Sequence, residues 1–123
     1  MPDAPVQIRV EDGRLQIDAP TGFDRASLLS AIDIPAAHVS DVQVTQSPGD
    51  AISGWRSGIG LPHLRMGTWH HDEVKDYVAV DTRLPGVVVT LHGEPYARII
   101  ASVDDPEGVA RQIRQARDTS TAT

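Results

Sequence analysis

The last third of the chain constrains its fold most strongly, because three strand patterns follow one another there with only short turns between them. Residues 76–81 alternate in polarity, 86–92 form a continuous apolar run, and 96–102 form a third strand pattern. Strands that follow in order with short turns pair mainly antiparallel, and a continuous apolar run suits a strand buried on both sides. A sheet of this kind can curl, and one helix can then cover its open end.

A capped helix follows these strands. Asp105 precedes Pro106 and Glu107. An aspartate at the N-cap accepts a free backbone N–H, proline is tolerated at the first helical position, and an acid suits the positive end of the helix dipole. The pattern predicts a C-terminal helix that packs on the sheet through Val109 and Ile113. Its full apolar stripe consists of Val109, Ala110, Ile113 and Ala116.

The first half of the chain contains further strand patterns. Residues 6–10 and 14–18 alternate in polarity around 11–13, which predicts a β-hairpin with Gly13 at positive φ. A short helix is expected after Asp24, ending at Pro35, and a strand at 38–46. The apolar positions of that short helix are Ala26, Leu28, Leu29 and Ile32.

Residues 47–64 are rich in glycine and proline and are interpreted as a long loop, which in a compact domain is often functional. Residues 64–71 are expected to pair with 76–81 around a turn. The total is about seven strands and one terminal helix, which predicts a mainly β, α+β fold. The whole forms one domain over 1–117, followed by a frayed polar tail at 118–123.

Four segments together resemble the bacterial pleckstrin-homology-like (PH-like) domain proteins of unknown function. They are IPAAHV at 34–39, GIGLPHLRMGTW at 58–69, the strand Tyr77 to Val80, and PGVVVTLHGEPYARIIASVDDPE at 85–107. The resemblance covers residues 34–116. It implies a PH-like roll with a binding or assembly role, and it supplies no catalytic residues to carry over.

Composition excludes several function classes. The 123 residues carry a net charge of −6, which argues against a nucleic-acid binder because neutralising phosphates needs a basic face. With no cysteine, disulfides and thiol chemistry are excluded. No stretch approaches the apolar length of a membrane span, and the start of the chain lacks a signal-peptide pattern. We therefore expect a soluble, cytoplasmic protein.

The Gly-rich loop 54–71 holds no acidic residue and both tryptophans of the chain. Tryptophan can anchor a partner at low entropic cost, and arginine can face a carboxylate or phosphate. Alternatively, the tryptophans fill a core that is short of aromatic residues. The candidate binding surface consists of Trp55, Arg56, His63, Arg65 and His70.

An enzyme is the less favoured interpretation. His70 and His71 are adjacent, so on a strand they point to opposite faces, and a metal site would need His63 or His92 as well. No GxSxG elbow is present, and GIG at 58–60 lacks the strand and helix of a phosphate-binding loop. We therefore expect no metal and no cofactor.

Three functions remain to be distinguished. The first is a non-catalytic binding or assembly module that engages a protein partner or itself. The second is a binder of a small anion or lipid headgroup at the Gly-rich loop 54–71. The third is a small metal-dependent or hydrolytic enzyme that uses His63, His70 and His71.

Overall fold

The computed structural model describes residues 4–17, 31–52, 54–60 and 63–121, with 55–60 and 120–121 described by their backbone only. These residues form a mainly β protein with one C-terminal helix, as the sequence predicts. The elements are β1 Ile8–Glu11, β2 Arg14–Ile17, β3 Ile32–Pro35, β4 Val39–Thr45, β5 Trp55–Gly60, β6 Leu64–His71, β7 Val74–Asp81, β8 Gly86–Leu91, β9 Arg98–Ser102 and α1 Pro106–Thr121.

The first sheet has three antiparallel strands in the order β1-β2-β3. The predicted hairpin is confirmed, since β1 and β2 pair along their whole length. Its two turn residues, Asp12 and Gly13, have φ values of 52° and 73°. Two successive positive φ angles are typical of the tight turn whose twist matches that of the flanking strands.

The second sheet has six strands in the order β4-β8-β9-β7-β6-β5. Four of its five pairings are antiparallel, as expected from the short turns. The exception is β9, which lies between β8 and β7 and runs parallel to β7. The starts of β7 and β9 therefore lie at the same end of the sheet, and the connections before both strands meet there.

The main core lies between the two sheets and α1. The predicted cap is present: the Gly108 amide donates to Asp105 Oδ1 at 3.1 Å. Ala110 and Ile113 are fully buried, and Val109 packs against the same core. The helix contacts β4, the 3-10 turn Ala36–His38 and β1, so it covers the junction of the two sheets.

A smaller core lies on the opposite face of the six-stranded sheet. It consists of Trp69, Val78, Val80 and Ile100. Ala51 and Ile52 pack against it from the connection between β4 and β5, which includes the 3-10 turn Pro48–Ala51. The apolar run of β8 serves both cores, because Val87 and Val89 face the main core and Val88 faces the smaller one.

Several predictions need correction. The described residues contain nine strands where the sequence predicts about seven. Trp55–Gly60 is a strand inside the predicted loop, because it pairs with β6 along its length. Ile32 lies on β3 and not on a helix, since it pairs with Ile17; the rest of that predicted helix, up to residue 30, lies outside the described residues.

The C-terminal helix also continues beyond Arg117, where the sequence places the end of the domain. Among the described residues, no helix combines the length and the apolar character that crossing a bilayer requires.

Candidate functional site

A cavity of about 610 Å³ opens at the end of the six-stranded sheet where β7 and β9 begin. The turn between β6 and β7 forms one wall, and the connection between β8 and β9 forms the other. The side chains that matter most to its chemistry are His70, His71, Lys75, His92, Glu94 and Tyr96. Three of these six, His70, His71 and Lys75, lie on the first wall, and His92 and Glu94 lie on the second, so the cavity is polar and ionisable.

The β6–β7 turn has two positive φ angles like the β1–β2 turn, but it has no glycine at either position. Asp72 and Glu73 have φ values of 48° and 65°, in a region that asparagine and glycine adopt more readily. The next residue, Val74, is 43% exposed, and it is the one large hydrophobic side chain of the described residues that is so exposed. Strained backbone and exposed apolar surface both concentrate at functional sites, which marks this turn as a candidate.

Lys75 lies inside the cavity and is held by an aromatic ring. Its Nζ lies 5.0 Å from the centroid of the Tyr96 ring, within the range of a cation–π contact. Tyr96 in turn meets Tyr77 edge-to-face, with centroids 5.5 Å apart. Within the described part of the chain, no carboxylate forms an ion pair with Lys75. The ammonium group is thus positioned, and no described carboxylate neutralises it.

The edge-to-face partner of Tyr96 is a buried tyrosine. Tyr77 is fully buried in the main core, and burial raises the pKa of its hydroxyl well above the ordinary value. Its hydroxyl has no hydrogen-bond partner among the described residues. The Tyr77 ring therefore packs against the Tyr96 ring, and its hydroxyl group stays protonated.

Behind the cavity wall lies a buried ionic network centred on Asp76, whose side chain is fully buried. His71 Nε2 donates to Asp76 Oδ2 at 2.6 Å. Arg98 donates to the same oxygen from Nε at 3.1 Å and from Nη2 at 2.6 Å. Arg98 Nη2 also donates to the carbonyl oxygen of Ala51, so the network fastens the 48–52 segment over the smaller core.

The network is unevenly satisfied. All three donors converge on Asp76 Oδ2, whereas Oδ1 is buried without a hydrogen-bond partner among the described residues. A buried carboxylate oxygen without a donor is costly. The other imidazole nitrogen of His71, Nδ1, lies 3.6 Å from the exposed Asp72 carboxylate. His71 thus connects the cavity to the buried charge.

The second wall is fastened by two further histidines. His38 Nδ1 lies 2.5 Å from Glu94 Oε2, and His92 Nδ1 lies 2.8 Å from Ser40 Oγ. The two imidazole rings are 5.7 Å apart. Among the described residues, no carboxylate bonds to His92 to orient it as a catalytic histidine, because Glu94 bonds to His38 instead. These contacts tie the β8–β9 connection to the start of β4.

The structure separates the residues of the predicted surface. His63 precedes β6 and Arg65 lies near its start, whereas His70 lies at its far end, on the cavity. Arg65 lines a different cavity of about 460 Å³ beside Trp69 on the smaller core. Trp55 and Arg56 lie on β5 and pair with His70 and Trp69; their side chains lie outside the description.

Of the two interpretations for the tryptophans, core filling holds for Trp69, which is buried in the smaller core. Sequence reasoning missed Lys75, His92, Glu94 and Tyr96 as members of one site. One signal was available, because Lys75 is the single lysine of the chain.

Adjacent histidines do face opposite ways: His71 bonds to Asp76, and His70 pairs with Lys75 across β6 and β7. Within the described ranges, no three histidine or acidic side chains are arranged to hold a metal ion. No family model, curated protein or solved structure matches the chain.

Proposed function

We propose that this protein is a non-catalytic binding module with a PH-like fold, and that it engages a protein partner at the cavity between the β6–β7 turn and the β8–β9 connection. We define the recognition surface as His70, Val74, Lys75, His92 and Tyr96. The observation that carries the proposal is the strained turn at Asp72 and Glu73, which presents the exposed Val74 beside Lys75, a side chain with no carboxylate partner among the described residues.

The physical argument starts from what folding alone would favour. A turn with two positive φ angles costs less with glycine or asparagine, and an exposed valine contributes little to stability. Interfaces combine apolar anchors with charges that set orientation. Val74 can supply the anchor, Lys75 the charge and Tyr96 the aromatic surface, all on one cavity.

An enzyme built on His63, His70 and His71 has less support. It needs these side chains together, but His63 precedes β6 and the other two end it. A binding module needs no such convergence and is consistent with the polar, open cavity.

The test is a capture experiment with matched variants. Tagged protein and its Val74→Asp variant are exposed to a lysate of the source cells, and self-association is followed by sedimentation. Because Val74 is exposed, the substitution should leave the melting temperature nearly unchanged. Arg111→Asp on the exposed side of α1 is the control.

We expect a stoichiometric partner, or a second copy, to bind the parent and the control but not Val74→Asp. Equal capture by all three proteins would place recognition elsewhere and overturn the proposal.

A further inference from the structure

We propose that the recognition surface takes an anionic group, a phosphate or a carboxylate, and that the group binds at Lys75 under mildly acidic conditions. This inference rests on the proposed function and specifies the chemistry of the same site. Its starting point is Lys75, whose ammonium is fixed over the Tyr96 ring and has no carboxylate partner among the described residues.

A positioned ammonium without a counter-ion favours an incoming anion, because the cost of ordering the side chain has already been met in the free protein. The cation–π contact holds Nζ at 5.0 Å from the ring without neutralising its charge. The cavity volume of about 610 Å³ leaves room for a phosphate or a carboxylate beside it.

The cavity lining includes titratable groups from every element around it. His70 and His71 come from β6, Asp72 and Glu73 from the turn, and Lys75 from β7. His92 and Glu94 come from the β8–β9 connection. Behind them lie Asp76 and Arg98, joined to His71, and His38, joined to Glu94.

These groups make the charge of the lining depend on pH. With its histidines neutral, the lining has one positive side chain against three negative ones. With all three histidines protonated, it has four positive side chains against the same three. Histidine is the side chain that gains charge in the mildly acidic range. An anion at Lys75 is therefore expected to bind more tightly when the histidines are charged than when they are neutral.

Two of the three acidic side chains in the cavity lining, Glu94 and Asp72, are expected to oppose an anion bound at Lys75 only weakly. Glu94 is engaged by His38, and the Asp72 side chain is 96% exposed, so its charge is screened by solvent. Glu73 is exposed in the turn. The anion then sits against Lys75, with His70 and His92 on either side of the cavity.

The experiment is a titration of the isotope-labelled protein with inorganic sulfate, followed by amide chemical shifts. Sulfate keeps its charge across the pH range, so any pH effect belongs to the protein. We expect shifts confined to 70–75 and 92–97, with affinity at least about ten-fold higher near pH 5.5 than near pH 7.5. Lys75→Met should abolish these shifts, and Arg111→Gln should preserve them.

Three results would overturn the proposal: shifts spread over other surfaces, equal affinity at both pH values, or an unchanged response in Lys75→Met. A melting curve of Lys75→Met checks that it is folded; should it fail to fold, Lys75→Arg replaces it, retaining the charge and the response.

Sedimentation with phosphatidylglycerol–phosphatidylcholine vesicles separates the sources of the anion. Vesicle binding that depends on Lys75 identifies a lipid headgroup as the source of the anion. Sulfate binding by a protein that does not bind vesicles identifies a free anion.

The outcome is distinguishable from that of the proposed function. If sulfate binds at Lys75 but Val74→Asp captures the partner as well as the parent does, the anion site is supported and the partner surface is rejected. If Val74→Asp loses capture and sulfate does not bind, the partner surface is supported and the anion site is rejected.

Discussion

Strand β7 carries a buried aspartate near each end, and the two are satisfied in different ways. Asp81 is bonded by its own turn: Oδ1 accepts from the amide and Nε of Arg83 at 2.9 Å each, and Oδ2 accepts from Nη2 at 2.7 Å. Asp76 depends on distant residues, His71 and Arg98, and they leave one of its oxygens without a donor.

The difference separates a structural end of the sheet from a candidate functional end. At the Asp81 end both carboxylate oxygens have donors, and Ser102 adds hydrogen bonds to the backbone of Asp81. At the Asp76 end the adjoining turn is strained, Lys75 has no carboxylate partner among the described residues, and a cavity opens. Incomplete pairing is tolerated most readily where another molecule is to be bound.

The largest effect is expected from Asp76→Ala. The substitution leaves the three-quarters-buried Arg98 guanidinium without its counter-charge, so the free energy of unfolding should fall by roughly 3 kcal/mol. Urea unfolding at neutral pH measures it. Asp76→Asn retains an acceptor of the same shape and should lose less. A loss below about 1 kcal/mol for the alanine variant would show that the network contributes little.

A smaller effect is expected from His71→Ala, which removes one of the three donors to Asp76 Oδ2. The expected loss is about 1–2 kcal/mol, as for a hydrogen bond to a buried charged group. His92→Ala is the matched control, because its bond to Ser40 is exposed and should be worth little. Equal losses in the two variants would mean that the Asp76 end has no special dependence on His71.

The strain at the β6–β7 turn can be tested with a substitution that is expected to stabilise the protein. Glu73→Gly removes a side chain at a φ of 65°, so the free energy of unfolding should rise by about 0.5–1 kcal/mol. Partner capture should weaken if the turn geometry serves recognition. A destabilised Glu73→Gly protein would show that the turn is not strained.

The smallest effect concerns Asp81 and pH. The hydrogen bond from Arg83 lowers the pKa of Asp81, against the opposing effect of burial. A carboxyl whose pKa is lowered by folding stabilises the protein above its unfolded pKa, about 3.9, and loses that contribution as the pH falls. Arg83→Gln should therefore lower the free energy of unfolding only slightly at neutral pH, because the guanidinium is half exposed.

Measurement of Arg83→Gln and the parent protein in strong acid is the control for this prediction. The difference between Arg83→Gln and the parent should disappear in strong acid, where Asp81 is protonated in both. Acid unfolding followed by circular dichroism measures it, and a constant difference across the pH range would exclude the ion pair as its cause.

Local patterns in the sequence determined much of the scaffold. The hairpin at 6–18, the N-cap at Asp105 and the doubly buried run of β8 were all predicted, because each depends on neighbours within a few residues. The apolar positions of α1 followed from periodicity. The sequence left two interpretations of the tryptophans open, and the structure supports core filling for Trp69. The alternation of side chains along a strand also predicted that the adjacent His70 and His71 would point to opposite faces.

Only the tertiary structure decided the site. The insertion of β9 between β8 and β7 places Asp76 beside Arg98 and brings 92–97 against the β6–β7 turn. The strand Trp55–Gly60 became apparent only through its pairing with β6. Such contacts join residues far apart in the chain, and their free energy comes from pairing and burial that no local pattern encodes. The sequence therefore determined most of the segments that become strands, while pairing in the sheets decided the others and the strand order determined which side chains meet.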